Sequence, residues 1–572
     1  MAHAEPPSPQ DAAVGLPEHG VTNHDGVIEK WLHEHLNLVA SAVVAAGFVV
    51  RVFIAGTRYL NPDEALHYLL INQPSAFLAY KASLSNAHPP LLFLLLYFWH
   101  FLGHSELMLR LPSVLAGTAF CWFTFKWMGL VFGRSASLIG VIVAAFCPAL
   151  IALSAQVREY ALLLFCMVAA LYFLERAFQR ESVSGMWYFS GFLYLAILSH
   201  YSAVFFVLAI GLYSLARIAE HRLPRKIAVA WASGQVGGLA IYGFLYVTHM
   251  SKVKKDDLAL WASPFDQSFF HWGSGDLLTF TREHTSAIFL FLFEQKYISQ
   301  AMLLFFVVGV ASLMVKDLVS RRGHPRSSHS GILLLLPFIA VWGAAIAGIY
   351  PYVGSRHTVF LAPFAIAAAS FLLAAVYGQK IWAGLLIAIL IMGAANTSAE
   401  TFEPFITKEN QRRTLMIGAM HHIQQSIPRA DLILVDLQSS FPIAYYLCNP
   451  SDTIQLEAFR EEFNRFSCDG YSIVSTNYHI WKLTPGNFPS QFEKMAHASG
   501  LKPGDRVWVF EAGWGVNLDR TLPRTLPKFR CLASNDFGRN IAVTPFVVGP
   551  DLSPAATVAN CPPQAFNSLI ME

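Results

Sequence analysis

Charge is what this chain has least of. Lys, Arg, Asp and Glu make up 13% of its 572 residues, where soluble domains carry about 25%. With 55% hydrophobic residues and a mean hydropathy of +0.44, that shortage excludes an ordinary soluble domain. The net charge is only +3. No basic repeat or RNA-binding motif is present, which excludes a nucleic-acid partner. The segment from Met1 to Glu34 lacks the short basic start and small-residue cleavage site of a secretory signal. It is polar and Pro-rich, and reads as a mobile cytoplasmic tail over residues 1–35. Cysteine is scarce as well, with seven in the chain, and the spacing of the four in the carboxyl-terminal part does not resemble a zinc site.

What remains is a series of long apolar runs. Leu36–Gly56 is long enough to cross a ~30 Å core and reads as a retained first helix. Further candidate spans are Leu107–Phe132, Ser135–Ser154, Tyr160–Leu174, Met186–Ser199, Tyr201–Ala216, Ile227–Thr248, Ser299–Val315, Gly331–Tyr350, Thr358–Tyr377 and Ile381–Ala399. Basic residues cluster in alternate connections: Lys126 and Arg134; Arg176 and Arg180; Arg217, Arg222, Arg225 and Lys226; Lys316, Arg321, Arg322 and Arg326; and Lys380. The positive-inside rule places these in the cytoplasm. Met186–Ala216 has basic flanks at both ends, so it reads as two short crossings with a turn near His200-Tyr201. Pro89–Gly103 is too short to span and is laid on the outer face as an interfacial helix.

The expected fold is therefore mainly α. It is a polytopic bundle of about eleven transmembrane helices with interfacial helices, at about 20 residues per crossing. The amino terminus lies inside and the carboxyl terminus outside. The membrane domain covers residues 36–400, with an outer loop at 57–106.

Residues 401–572 form a separate extra-cytoplasmic domain by composition. Strand-like runs (Leu432–Val435, Tyr471–Val474, Arg506–Phe510, Ile541–Val547) alternate with helix-like ones (Phe441–Leu447, Pro489–His497), which predicts a small α/β structure. Cys448, Cys468, Cys531 and Cys561 fall here, while Cys121, Cys147 and Cys166 sit inside spans. An even number in an oxidising compartment suggests disulfides, and four cysteines leave three pairings open.

Chemistry-bearing residues gather on the outer face. Asn61-Pro62-Asp63-Glu64 follows the first span. Acids at the mouth of a bundle are costly and are functional candidates. An ionised Asp63 can take a proton from an acceptor hydroxyl, with Glu64 holding a metal or the substrate beside it. The same four residues also read as a helix start: Asn61 caps, Pro62 fills the first turn and the acids suit the dipole. The two readings are compatible, because a cap fixes the carboxylate. His88 precedes Pro89-Pro90 and can donate to a phosphate oxygen, or can be a surface residue before a rigid turn. Arg158-Glu159-Tyr160 opens a span, either as a self-contained ion pair or with Arg158 on an anion and Glu159 orienting a sugar or acceptor. His200 sits at an outer turn. Arg356-His357 follows a tight loop, where arginine grips phosphate through a planar fork or anchors to headgroups. Lys252, Lys254, Lys255, Asp256 and Asp257 read as a solvated charge run, and Trp261 and Trp272 as belt residues. A divalent metal requirement stays open, and no other cofactor is expected.

The ordered set Asn61-Pro62-Asp63-Glu64-Ala65, His88-Pro89-Pro90-Leu91, Leu109-Arg110-Leu111-Pro112-Ser113, Gln156-Val157-Arg158-Glu159-Tyr160-Ala161-Leu162, Ser199-His200-Tyr201-Ser202 and Ser355-Arg356-His357 resembles the C-type (GT-C) membrane glycosyltransferases. The resemblance is nearest to the family-39 group of protein O-mannosyltransferases and bacterial lipid A aminoarabinose transferases. It implies a monosaccharide donor on polyprenyl or dolichyl phosphate and transfer to a hydroxyl of a lipid, glycan or protein on the extra-cytoplasmic face of the inner membrane. It implies Asp63 as catalytic base or acceptor-site carboxylate with Glu64 as neighbour. It also implies Arg356 on the donor phosphate and His88 where some members carry lysine. The second-loop acid of the family has Glu159 as its nearest match, displaced and of another type. Two other readings stand beside this one: a flippase for a lipid-linked sugar, and a non-catalytic membrane assembly or sensor protein presenting the tail. A flippase would place its acids within the spans and show repeated hydropathy halves, and neither pattern is evident.

Overall fold

The computed structural model describes residues 26–84, 86–221, 223–252, 263–273, 275–321, 329–378, 380–397, 412–449, 463–476, 494–513, 518, 522, 529–532, 534–538 and 541–549. Arg222, Lys254, Lys255, Asp256, Asp257, Trp261, Arg322, Arg326, the start of the Pro489–His497 run and Cys561 lie outside the described residues.

The apolar runs are helices. Among the described residues, seven helices are long and apolar enough to cross a membrane: Leu36–Thr57, Glu106–Val131, Tyr160–Arg180, Ala203–Glu220, Arg225–Thr248, Lys296–Val319 and Arg356–Tyr377. The expected single crossing at Ser135–Ser154 is a broken one, Arg134–Phe146 followed by Pro148–Ser154 at a 58° bend. Pro148 explains the break. Its ring removes a donor and pushes the preceding Cys147 into an extended conformation, with φ −62 and ψ 122. Val183–Ser199, Ser330–Ile346 and Ile381–Asn396 are shorter apolar helices at three other expected crossings. His200 lies in the turn between Val183–Ser199 and the next helix. Val27–Glu34, assigned to the tail, departs from expectation and is helical.

The helices Glu106–Val131, Tyr160–Arg180 and Val183–Ser199 pack side by side, and small residues allow close approach elsewhere. A Cβ on Gly309 would overlap the carbonyl of Ala368 on the facing helix. The segment between the first two long helices adds the short helices Pro62–Ile71, Ala76–Ser83 and Leu91–Trp99. They share an apolar cluster with Val157 and with Phe441 and Ala444 of the tail.

The tail holds a mixed sheet in the order β2-β3-β1-β4-β7-β5, with β6 also on β7. The strands are β1 (Leu432–Val435), β2 (Phe463–Cys468), β3 (Tyr471–Thr476), β4 (Arg506–Ala512), β5 (Phe529–Cys531), β6 (Asn535–Gly538) and β7 (Ile541–Val548). β1 pairs in parallel with β3 and β4. Both faces of β1 are buried, as its unbroken Leu-Ile-Leu-Val run requires. Ile433 and Val435 pack under the Arg413–Ser426 helix, and Leu432 and Leu434 face a second cluster containing Met495 and Leu518. A disulfide joins Cys448 to Cys468, Cys531 is also disulfide-bonded, and Cys121, Cys147 and Cys166 are free and buried.

Candidate functional site

The site is built on the first turn of the Pro62–Ile71 helix. Asn61 caps it and forms a capping box with Glu64: the Glu64 N–H donates to Asn61 Oδ1 at 3.0 Å and the Asn61 N–H to Glu64 Oε2 at 3.1 Å. Pro62 fills the first helical position. The helix-start and functional readings of this motif thus occupy the same residues.

The two acids point to different places. Glu64 is fully buried and both its oxygens are taken. Arg110 donates to Oε1 from Nε and to Oε2 from Nη2, each at 2.7 Å, and the Val157 N–H donates to Oε1 at 2.8 Å. Arg110 spends its remaining donors on the carbonyls of Ala55, Arg58 and Tyr59. Asp63 remains open to the outside, 29% exposed, with Arg158 Nη2 at 2.5 Å and Arg356 Nη1 at 3.3 Å from Oδ2. Burial works to raise its pKa, but Arg158 and then Arg356 outweigh it and hold the carboxyl below its ordinary value. The same pairing overcomes burial at Arg158 and strengthens its hold on its proton.

Behind this pair lies a nest of rings around Glu159. Glu159 is 1% exposed, with His88 Nδ1 3.2 Å from Oε1 and His67 Nε2 3.7 Å from Oε2. The His67 Nδ1 lies 2.6 Å from the Asp63 carbonyl and its ring stacks on Phe93 at 4.9 Å. His200 stands 5.2 Å from His88 and 5.4 Å from Tyr160 between ring centroids, with its Nδ1 2.8 Å from the Ser202 hydroxyl. Burial pushes His88 down to about 3, against the pull of Glu159, and pushes His200 down to about 4. Both rings are therefore neutral near pH 7.

The structure thus brings Asp63, Arg158 and Arg356 together at one carboxylate, and His88, Glu159, Tyr160 and His200 beside them. The His357 Nδ1 lies 3.1 Å from Ser355 Oγ, and its carbonyl accepts from the Tyr350 hydroxyl. Reasoning from sequence assigned no part to His67, although it lies one helical turn after Asp63, a spacing that places the two on one face. Arg110 carried no assigned role because its partner, Glu64, is 46 residues away.

In sequence, residues 87–246 match the family model described as dolichyl-phosphate-mannose-protein mannosyltransferase. That stretch holds His88, Arg158, Glu159, Tyr160 and His200 but neither Asp63 nor Arg356. No curated protein matches the chain. In structure, the chain is similar to ArnT from Cupriavidus metallidurans in the apo state, with a TM-score of 0.52 at 12% identity, covering 91% of this chain and 98% of that one. The same protein bound to undecaprenyl phosphate gives 0.50 at 12% identity, covering 88% and 97%. The Archaeoglobus fulgidus oligosaccharyltransferase tethered to an acceptor peptide gives 0.48 at 12% identity, covering 89% and 74%. The chain is a polytopic membrane protein of the GT-C fold. Within that class, its near-complete two-way coverage with ArnT extends the likeness to a protein of similar length, tail included.

Proposed function

We propose that this chain is a glycosyltransferase that moves a monosaccharide from a polyprenyl-phosphate donor to an acceptor hydroxyl on the extra-cytoplasmic face, with inversion. The observation that carries the reading is one open carboxylate, Asp63, held between two arginines at the mouth of the bundle. The fold likeness to a protein bound to undecaprenyl phosphate supports the donor class. The outer-face placement rests on the distribution of basic residues.

Arg158 and Arg356 are matched to a phosphate as well as to a carboxylate. A donor phosphate that arrives beside Asp63 competes for both guanidinium groups. As they turn to the phosphate, the Asp63 carboxylate is freed for the acceptor. The acceptor hydroxyl gives its proton to Asp63 and its oxygen bonds to the anomeric carbon. The bond from that carbon to the phosphate oxygen breaks, and its electron pair leaves with the lipid phosphate. Arg356 and Arg158 stabilise that charge. Removing one such preorganised donor costs about 3 kcal/mol in comparable sites. No leaving-group acid is needed, unlike a hydrolase with two opposed carboxylates. Glu64, fully engaged by Arg110, acts as the anchor that fixes the turn carrying Asp63.

The test is Asp63→Asn in purified, folded protein supplied with a polyprenyl-phosphate-linked sugar and a hydroxyl acceptor. Loss of transfer with retained binding of polyprenyl phosphate is expected. Full transfer by this variant would remove Asp63 as the base. A wild type that carries the donor across a bilayer without transferring sugar would replace the whole reading with a flippase.

A further inference from the structure

We propose that His88, Glu159 and His200 form a binding site for a divalent transition-metal ion of the zinc class. Among the described residues these three offer ligand atoms that all lie within 4.8 Å of one another, the geometry a shared ion needs. The inference stands on the side-chain geometry and does not require the transferase reading.

The first argument is the state of Glu159. It is 1% exposed, yet neither carboxylate oxygen receives a hydrogen bond of acceptable geometry. Its near neighbour Glu64, equally buried, shows how this protein normally treats such a group, with two guanidinium bonds and two backbone N–H bonds. A buried anion left without donors is unfavourable by several kcal/mol unless a cation meets it. Arg158 is adjacent in sequence but donates to Asp63.

The second argument is His67. Its Nδ1 sits 2.6 Å from the Asp63 carbonyl, which can only accept, so that nitrogen carries the ring proton. Its Nε2, fully buried, then presents a lone pair towards Glu159 Oε2 at 3.7 Å, and it too has no hydrogen-bond partner. Two acceptors facing each other in a dry site are explained by positive charge close by. His67 lies outside the proposed ligand set and reports on it.

The donor chemistry selects the ion. Two imidazoles and one carboxylate suit zinc, where catalytic sites use three protein ligands and leave a fourth position open. Magnesium and calcium prefer oxygen ligands. Zinc–nitrogen bonds of about 2.0 Å put tetrahedral ligand atoms about 3.3 Å apart. The His88 Nδ1 to Glu159 Oε1 distance of 3.2 Å already matches. The remaining ligand atoms must close by at most about 1.5 Å from their 4.8 Å limit. The Ser202 hydroxyl, 2.8 Å from His200 Nδ1, and the Ser202 N–H, which donates to that nitrogen at 3.0 Å, fix the orientation of the ring.

The test uses full-length protein in detergent, purified through a tag that contains no histidine. The protein is stripped with a chelator, exposed to Zn2+ alone and freed of excess by gel filtration, and its metal is counted by mass spectrometry. One equivalent per chain is expected. Glu159→Gln, nearly isosteric, should fall to about a tenth of that, since a first ligand is lost. His421→Ala, on the exposed surface of the tail, should bind as the wild type does. X-ray absorption at the zinc edge of the wild type needs no variant and should show imidazole scattering from two ligands. A wild type that retains no zinc, a Glu159→Gln variant that retains a full equivalent, or a metal shell without imidazole would each overturn the proposal. These readouts are independent of sugar transfer, so failure of the transferase reading leaves the metal site standing or falling on its own evidence.

Discussion

Arg110 closes on Glu64 through two hydrogen bonds of 2.7 Å, in a pair whose side chains are 1% and 0% exposed. The adjacent Asp63 is 29% exposed and faces the mouth of the bundle. Neighbours in sequence are therefore placed differently, one locked in a buried ion pair and one partly open to solvent. Removing one member of a buried ion pair costs about 3–5 kcal/mol. Glu64→Gln should lower the thermal midpoint sharply, read by intrinsic fluorescence in detergent. Asp63→Asn should change it far less. Equal losses in the two variants would contradict this division.

The depressed pKa of Asp63 sets a pH expectation. Its ordinary value is 3.8, and the paired arginines hold it lower. The charged form, and the ion pair with it, is present above the ordinary value and is lost only as pH falls through the lowered one. The pH profile of kcat/KM reports the free enzyme. It should show no acid limb from Asp63 at or above 3.8. In Arg356→Gln one of the lowering charges is gone, so the limb should move to higher pH. A wild-type limb assigned to Asp63 that lies above the ordinary value would show that the arginines do not govern it.

Most of the bundle could be read from the sequence because hydropathy and the distribution of Lys and Arg are local signals. The break at Cys147-Pro148 shows the limit. Ser135–Ser154 is apolar throughout, and only the backbone demand of proline divides it. In the tail, β1 is a continuous apolar run and β3, β4 and β7 are rich in β-branched and aromatic residues, so these strands were legible. β2, with Arg465 and Ser467 among its residues, and β6, Asn535–Gly538, carry polar side chains that composition alone does not mark as strand. The site divides in the same way. Asp63, Arg158 and Arg356 stood out because charge at a membrane surface is rare. The role of Glu64 did not, since Arg110 and Val157, 46 and 93 residues away, meet it only through tertiary packing.

Arg356 should matter most for the donor. A charge-assisted hydrogen bond contributes about 1.5–3 kcal/mol, or roughly 10- to 150-fold in Kd. Arg356→Gln should weaken polyprenyl-phosphate binding by that range, measured by fluorescence titration in nanodiscs. Arg356→Lys should recover part of the loss, because it restores charge without the planar fork. Unchanged lipid-phosphate affinity in both variants would place the phosphate elsewhere.

The tail reaches the site through Tyr446. Its hydroxyl accepts the Leu60 N–H at 2.9 Å and donates to Glu106 Oε1 at 3.1 Å, and Arg413 Nε donates to that same oxygen at 2.8 Å. Leu60 precedes the Asn61 cap, and Glu106 lies one helical turn before Arg110. The tail thus grips the Asp63 turn from the chain that leads into it and from the helix that anchors it. Tyr446→Phe would leave the Leu60 N–H unpaired, and a lost partner at a buried polar group costs about 1–3 kcal/mol. Arg158 and Arg356 belong to the membrane domain and keep their places. The expected signature is therefore a several-fold fall in kcat with donor KM nearly unchanged, together with a lower thermal midpoint. Tyr445→Phe is the control. Its hydroxyl meets the His104 carbonyl at 2.6 Å, on the exposed rim and away from the cap. If Tyr445→Phe lowers kcat as much as Tyr446→Phe does, the effect comes from loosening the whole tail and the specific grip on Leu60 and Glu106 is refuted.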